Sequence, residues 1–158
     1  MSTNEKSTFN IRRMNRNDIG AVLALDRKIS KGHSILTEQD SLLTEQDIVD
    51  SKFGGSLDLN FVAEIDNKVV GFIMSRLTYL MIPFTEVCII QGIVTDPDYQ
   101  GKGIGSRLVD SLLDHCHAEG INTIRALVPD RDKKLQHFIE VQGFQRSNIM
   151  NYDKKFDS

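Results

Sequence analysis

The sequence predicts one domain of the α+β or three-layer α/β class, in which helices flank a mixed, mostly antiparallel central sheet. Stretches with the apolar pattern of strands alternate along the chain with stretches of helical periodicity. Residues 61–66 and 68–78 have the pattern of a hairpin, so these strands run antiparallel. The chain has 158 residues, 40% of them hydrophobic, which suits one domain with a substantial core. Residues 1–7 are polar and are expected to form a flexible tail, which leaves residues 8–158 for the domain.

The first predicted elements are a strand and a capped helix. Residues 9–14 alternate between apolar and polar side chains, as a strand does. Asn15 is a favourable N-cap, and Asp18 stands at the capping-box position three residues later. Residues 19–29 then place apolar side chains on one helical face.

A short internal repeat follows. The pentapeptide LTEQD occurs at residues 36–40 and again at residues 43–47. In each copy the Thr and the acidic residue three places later match a capping box, so the repeat predicts two helix starts. The second start leads into a helix predicted over residues 45–53.

The middle of the chain predicts the hairpin. Gly54-Gly55-Ser56 indicates a flexible break, and Asp66-Asn67-Lys68 indicates the hairpin turn. The nearly continuous apolar run over residues 69–74 is typical of a strand buried on both faces. The apolar segment 81–85 is either core filler, which we favour, or an exposed wall for a substrate or a dimer.

The most informative stretch is a strand, a turn, a glycine-rich loop and a helix in unbroken order. Residues 87–95 are mostly β-branched and apolar, and Asp96-Pro97-Asp98 ends the strand. Residues 100–105 (QGKGIG) contain three glycines, and helical periodicity begins directly afterwards, over residues 106–118. A glycine loop before a helix N terminus offers N–H groups and a favourable dipole to an anion, so the loop predicts a phosphate or pyrophosphate site.

Two common nucleotide motifs do not fit this loop. A P-loop requires Ser or Thr after its lysine, but Lys102 is followed by Gly103. In a dinucleotide-binding fingerprint the third glycine would fall on Ser106, and about half of the chain precedes the loop, whereas such a fingerprint follows the first strand of its domain.

The last third predicts a strand, a helix and an edge strand. Residues 122–128 have strand character and end at a proline. Asp130 or Asp132 can cap a helix over residues 133–139. Residues 148–156 are predicted to form a final edge strand.

The loop and its surroundings resemble the acetyl-CoA motif of the GNAT N-acetyltransferase superfamily. The motif consists of residues 100–105 behind a strand that ends in Ile93-Val94-Thr95. Residues 138–144 (FIEVQGF) are similar to the family's closing Phe-Tyr-Glu-Lys-x-Gly-Phe motif. The resemblance covers roughly residues 9–144 and is closest to the ribosomal-protein alanine N-acetyltransferases. It implies acetyl-CoA as cofactor and a sheet that splays where the cofactor enters.

The resemblance also implies roles for particular residues. Main-chain groups at the end of the strand would run beside the pantetheine arm, and the loop amides would hold the pyrophosphate. Gly92 could permit a bulge that directs an amide toward the thioester oxygen. For Lys102, a solvated loop charge is as reasonable as a phosphate contact. The expected cofactor-binding residues are Ile93, Val94, Thr95, Gln100, Gly101, Lys102, Gly103, Ile104, Gly105 and Ser106.

The proton-transfer residues of relatives are not matched. Where many relatives carry a glutamate on the strand before the glycine loop, predicted here at residues 87–95, this chain has Gln91, which cannot serve as a base. The glutamate and the general-acid tyrosine of the ribosomal-protein enzymes correspond to Leu127 and Ile139, and their helix-start asparagine corresponds to Asp132. A detailed mechanism therefore does not carry over.

The remaining candidates are Glu86 and Tyr152. Glu86 could deprotonate the amine through a water, and Tyr152 could donate a proton to the leaving thiolate. The simpler interpretation is an exposed charge at a strand end for Glu86 and a half-buried edge side chain for Tyr152. Glu64 is a weaker candidate base. A thiol with a pKa of roughly 8.5 leaves readily enough that no strong acid is required. No metal ion is expected.

The predicted function is acetyl transfer from acetyl-CoA to a primary amine of a small molecule or a protein; the alternative is a non-catalytic acyl-CoA-binding or regulatory module. The net charge of −3 and pI near 5.8 argue against nucleic acid and mildly favour cationic acceptors. The repeat could supply an acidic rim to an acceptor groove, although a solvated helix face is the simpler interpretation. Its acidic residues are Glu38, Asp40, Glu45, Asp47 and Asp50.

Location and assembly are weaker expectations. No apolar run is long enough to span a bilayer and the N-terminal residues lack a signal core, so we expect a cytoplasmic protein without a membrane partner. Cys88 and Cys116 fall at interior positions and are expected to be small buried hydrophobes. A homodimer is possible, through the final strand or residues 81–84.

Overall fold

The structure is a computed structural model that describes residues 8–30, 59–81 and 84–157. It divides into two compact units, Met1–Leu127 and Val128–Ser158. The prediction of a single domain stays a prediction. Four predicted features lie outside the described residues: the N-terminal tail at 1–7, the repeat at 36–47, the helix at 45–53 and the break at 54–56.

The first unit is a five-stranded sheet with helices on its faces. The strands lie in the order β1-β2-β3-β4-β5. Neighbouring strands are antiparallel, except that β4 and β5 are parallel, so the predicted mixed, mostly antiparallel sheet is confirmed. The strands are β1 (Asn10–Arg13), β2 (Phe61–Ile65), β3 (Lys68–Met81), β4 (Phe84–Thr95) and β5 (Thr123–Ala126). Among the described residues of this unit, the α-helices are α1 (Ile19–Ser30) and α2 (Ile104–Ala118).

The two helices cover opposite faces of the sheet. On one face, α1 packs through Val22 and Leu25 on Phe72 and Met74 of β3. On the other face, a Cβ added to Gly71 would lie 3.0 Å from Ile104 in α2. Neighbouring residues of a strand point to opposite faces, and directly paired residues of neighbouring strands point to the same face. The positions of Gly71 and Phe72 therefore assign every paired residue of β3, β4 and β5 to the α2 face or the α1 face.

The central hairpin follows the predicted pattern. Asp66 and Asn67 have φ values of 49° and 62°, the left-handed conformation that a tight hairpin turn requires. The strand after the turn is buried on both faces, as its apolar run predicted. The buried side chains in that run are Val70, Phe72, Ile73 and Met74.

The capping box at the start of α1 is present, although one 3-10 turn precedes the helix. Asn15 N–H donates to Asp18 Oδ2 at 2.8 Å, and the Asn15 side chain caps the turn in return. Arg12 of β1 donates to both carboxylate oxygens of Asp18 at 2.8 Å. This bidentate pair joins the first strand to the helix start.

The hairpin between β3 and β4 is longer than predicted. Met81 pairs with Phe84, so most of the apolar segment 81–85 belongs to the two strands. Cys88 and Cys116 are free thiols and fully buried, as predicted. Among the described residues, no helix is long and apolar enough to cross a membrane.

The second unit contains the helix α3 (Lys133–Val141). Asp132 caps it by accepting the Leu135 N–H at 3.0 Å. The predicted strand over residues 148–156 is wrong, because residues 144–157 contain no strand. Local side-chain hydrogen bonds take its place: Ser147 Oγ accepts the Ile149 N–H at 3.0 Å, and Asn151 donates to Asp153 at 2.9 Å.

Candidate active site

A β-bulge interrupts the pairing of β3 and β4 at the centre of the sheet. Met74 pairs with Gly92, but the next residue, Ser75, pairs with Ile90. Gln91 is therefore the extra residue on β4, and its side chain is exposed. The sequence pointed to a bulge at Gly92, and it lies directly before that glycine. A bulge bends its strand and increases the local twist.

The sheet splays beyond this bulge. The pairing of β5 with β4 runs from Val87 to Ile90 and stops there, whereas β4 continues to Thr95. Five residues of β4, about 17 Å of strand, therefore extend past the end of the parallel pairing. The backbone groups on that edge are not used by β5 and can bind an extended ligand, as a sheet edge binds an added strand.

The direction of those backbone groups follows from one hydrogen bond. Asp96 N–H donates to Val70 O of β3 at 2.8 Å, so its main chain faces β3. Successive residues of a strand direct their N–H and C=O groups to opposite edges, so those of Thr95 and Ile93 face the open edge. Val94 turns its main chain to β3, and its side chain packs on the core under α1.

The glycine loop lies directly after this edge. Gly101 and Gly103 have φ values of 81° and 78°, which disfavour any residue with a Cβ, and a Cβ added to either would meet nothing within 4 Å. Gly103 is the N-cap of α2, and the Arg107 N–H donates to Gly103 O at 3.1 Å. The first N–H groups of a helix have no intrahelical acceptor, so this end of α2 suits an anion.

The other loop residues predicted to bind cofactor differ in exposure. Ile104 is only 2% exposed because its side chain packs in the core, so only its main chain can contribute. Gln100 and Lys102 are exposed, and Gly105 and Ser106 are half-buried. The Nζ atom of Lys102 lies 6.0 Å from the ring centre of Tyr99.

A buried ion pair fixes the start of the loop. Asp96 is 3% exposed and accepts from Lys28 Nζ of α1 at 2.8 Å and from the Asp98 N–H at 3.0 Å. Burial by itself raises the pKa of Asp96, but the hydrogen bonds from Lys28 and the Asp98 amide outweigh it, so the net shift is downward. Sequence reasoning found the turn but missed this lysine, because no local pattern indicates a partner on a distant helix.

A close approach of two elements fixes the other end of the loop. A Cβ on Gly71 would lie 3.0 Å from Ile104 Cγ2 and 3.0 Å from Val94 O. The absence of a side chain at this position lets the first turn of α2 pack directly on the sheet. An isolated glycine in a strand is a signal for such an approach, and the sequence contains it.

The candidate proton-transfer residues are placed less favourably. Glu86 pairs with Tyr79, whose hydroxyl donates to Glu86 Oε1 at 2.6 Å and whose pKa is raised by that bond. Because Glu86 pairs with Tyr79, it lies on the α2 face. It precedes Gln91 by five positions, or about 17 Å of strand. Tyr152 is 84% exposed and belongs to the second unit.

Glu64 serves a structural ion pair. Its carboxylate accepts from Arg12 Nη2 at 3.1 Å, and this hydrogen bond lowers the pKa of Glu64. Arg12 also holds Asp18, so the three charges tie β1, β2 and the start of α1 together. A carboxylate held in this way is a poor general base.

The open edge of β4, the glycine loop and the N terminus of α2 follow one another along the chain, and we call this arrangement the cradle. Main-chain groups of this kind suit an extended arm and phosphate groups. Residues 30–144 match the sequence profile of the acetyltransferase (GNAT) family, and the chain belongs to this family. Membership confirms the predicted family of N-acetyltransferases, and acetyl-CoA is the cofactor of that family.

Individual relatives are distant. An N-acetyltransferase of Methanocaldococcus jannaschii is 29% identical over 91 residues, or 57% of this chain and 40% of the relative. L-2,4-diaminobutyric acid acetyltransferase of Nocardia farcinica is 27% identical over 81 residues, or 51% of this chain and 40% of the relative. The chain thus matches less than half the length of these two curated relatives.

Solved structures agree in fold. The structure of a ribosomal-protein-alanine N-acetyltransferase from Brucella melitensis biovar Abortus superposes with a TM-score of 0.74 and 17% identity, covering 94% of this chain and 99% of that one. At this identity the likeness shows the fold alone.

Proposed function

We propose that this chain transfers the acetyl group of acetyl-CoA to a primary amine by direct attack of the amine on the thioester. The observation that carries this proposal is the continuity of the open β4 edge with the glycine loop and the N terminus of α2. An acyl-CoA has the same sequence of parts, namely a thioester, an amide-bearing arm and a pyrophosphate. When bound, acetyl-CoA supplies an acyl group activated by a thiolate leaving group.

The chain's own groups divide the binding work. The main-chain groups of Ile93 and Thr95 face the open edge and suit the amides of the arm. The N–H groups of Gly101 to Ser106 suit the pyrophosphate, helped by the α2 dipole, and Gln100 and Lys102 lie on the exposed side of the loop. Val94 and Ile104 contribute through backbone position while their side chains anchor the cradle in the core.

Catalysis then rests mainly on positioning. The bulge at Gln91 and Gly92 lies where the splay begins, so it can turn an amide toward the thioester oxygen. Holding amine and thioester together can supply a large part of the rate enhancement. Glu86 as base and Tyr152 as acid stay predictions, and the position of Glu86 beside Tyr79 favours a structural role for it.

The acceptor belongs to the class of primary amines. Of the similar proteins described above, one is named as an acetyltransferase of an amino acid and another as an acetyltransferase of a ribosomal-protein alanine. Small-molecule and protein amines are therefore both represented among them. A second candidate function, an acyl-CoA-binding module without turnover, is favoured by Gln91, which stands exposed at the bulge where a base would be useful.

Thiol release from acetyl-CoA tests the proposal. Purified protein is incubated with acetyl-CoA and a panel of amino acids, polyamines, lysine peptides and N-terminal peptides, and cofactor binding is followed by thermal shift. Release that depends on one class of amine supports the transferase. Binding without release for every amine would instead support the non-catalytic module, and no binding of coenzyme A would overturn both.

A further inference from the structure

Two arginines flank the same residue of β4 on neighbouring strands. Ile89 pairs with Arg76 of β3 on one side and with Arg125 of β5 on the other. Paired residues share a face of the sheet, and neighbouring strands are about 4.8 Å apart, so the two arginine backbones are about 10 Å apart on one face. Both side chains are half-buried.

This face is the one covered by α1. Gly71 lies on the α2 face, and Arg76 is five residues further along β3, so Arg76 lies on the α1 face. Its paired residues, Ile89 and then Arg125, lie on the same face. Along β4, Ile89 precedes the bulge residue Gln91 by two residues, about 7 Å. The arginines therefore stand just before the point where the sheet splays.

The α2 face near the bulge is closed to a substrate. Cys88 and Ile90 of β4 are buried there, together with Leu112 and Cys116 of α2. We place the attacking amine on the opposite, α1 face. This is the face that carries the two arginines.

Arg125 has an unusual electrostatic position. It is half-buried, yet its guanidinium group forms no ion pair or hydrogen bond with residues 8–30, 59–81 or 84–157. A partly desolvated cation without a counter-ion is unfavourable, and a bound anion removes that cost. Arg76 makes interactions of its own, so the inference rests on Arg125.

We infer that Arg125, with Arg76 beside it, binds a carboxylate of the acceptor, and that the acceptor is an amino acid whose reactive amine is separated from its carboxylate by a short chain. This inference rests on the proposed function for the position of the thioester. An arginine fork matches a carboxylate in two hydrogen bonds, which fixes the orientation of the substrate as well as its charge. The net negative charge of the chain favours a cation, whereas the arginines favour an anion. A zwitterionic amino acid carries both charges.

The test compares acceptors that differ only in this carboxylate. Lysine with lysinamide, and 4-aminobutyrate with 4-aminobutyramide, are titrated calorimetrically into the protein alone and with coenzyme A. We expect the carboxylate of at least one pair to bind about tenfold more tightly than its amide, as charge-assisted hydrogen bonds require. Equal binding within both pairs would overturn the inference.

Variants separate binding from structure. Arg125→Gln should remove the preference by weakening only the carboxylate, Arg125→Lys should retain part of it, and Arg27→Gln, an exposed arginine on α1, should retain all of it. If Arg125→Gln instead weakens both members of each pair equally, the role is structural and the inference fails. If Arg125→Gln does not fold, the carboxylate preference of the parent is compared with that of Arg125→Lys instead, and equal preferences overturn the inference.

The same samples separate this inference from the proposed function. Coenzyme A that binds, with no discrimination between carboxylate and amide, would overturn the arginine site and leave the transferase standing. Discrimination that depends on Arg125, without coenzyme A binding, would overturn the transferase and leave the arginine site standing.

Discussion

The Nζ atom of Lys28 lies 2.8 Å from Oδ1 of Asp96, although 68 positions of sequence separate the two residues. Asp96 directly follows β4 and caps the turn that leads into the glycine loop, so this ion pair joins α1 to the segment between the strand and the loop. Lys28 also reaches Asp98 Oδ2 at 2.9 Å, but that carboxylate is exposed. The buried member of the pair is therefore the one that positions the loop.

Replacing Asp96 tests this role. Asp96→Ala removes the acceptor for Lys28 and for the Asp98 N–H, and we expect it to lower the free energy of unfolding by about 1–2 kcal/mol, as loss of a cap does. It should also weaken coenzyme A binding severalfold. Asp98→Ala, the exposed partner, should stay within about 0.5 kcal/mol of the parent. Urea unfolding and a coenzyme A titration measure both; equal effects of the two variants would contradict the assignment.

The Arg12–Asp18 pair predicts a pH dependence. The hydrogen bond from Arg12 lowers the pKa of Asp18 below its ordinary 3.8, although burial opposes the shift. A carboxyl whose pKa is lowered by folding stabilises the folded state fully above its ordinary pKa and loses this contribution as the pH falls through the folded-state value. The free energy of unfolding of Asp18→Asn should therefore fall below that of the parent by the full amount at pH 7, and this difference should shrink below about pH 5. Urea titrations at several pH values check this, and a constant deficit would contradict it.

The close approach at Gly71 predicts a coupled loss of stability and binding. Gly71→Ala forces a Cβ to within 3.0 Å of both Ile104 Cγ2 and Val94 O, and we expect overpacking of this kind to cost about 1–3 kcal/mol. Because Ile104 is the first residue of α2, coenzyme A binding should weaken as well. Gly20→Ala is the control, since nothing lies within 4 Å of its Cβ and a helical alanine is favourable by about 0.5–1 kcal/mol.

Two glycines with the same conformation separate strain from binding. Gly103 and Gly120 have φ values of 78° and 76° at the two ends of α2. A valine at either position should cost about 1–2 kcal/mol or more in backbone strain. Only Gly103→Val also places a side chain in the space proposed for the pyrophosphate, so we expect it to abolish coenzyme A binding while Gly120→Val binds nearly as the parent does. Unchanged affinity of Gly103→Val would refute the cradle.

The prediction that Glu86 acts as the base makes a specific demand. Glu86→Gln should then lower kcat by about 10²-fold or more, with the KM for acetyl-CoA unchanged. Tyr79→Phe, which removes only the hydrogen-bond partner, should keep most of the activity. If both variants match the parent across pH, Glu86 is not the base, and the pair is a structural hydrogen bond on the α2 face.

Many local features were predictable from the chain alone. The Asn15–Asp18 capping box, the turn at Asp66-Asn67 and the sequence of strand, glycine loop and α2 each depend on residues close together in sequence. The final strand was predicted wrongly for the complementary reason. A strand needs a neighbour with which to pair, and residues 148–156 satisfy their polar groups locally instead.

By itself, then, the sequence determined the class of fold, the position of the glycine loop and the family, because apolar periodicity and glycine spacing are local properties. The tertiary structure alone decided where the parallel pairing stops, which residue forms the bulge, and which distant groups hold the loop in place. Register and long-range contacts depend on how complete elements pack against each other. Asp96 meets Lys28 only when α1 has packed on the sheet, and Arg125 lies beside Ile89 only when β5 has paired with β4.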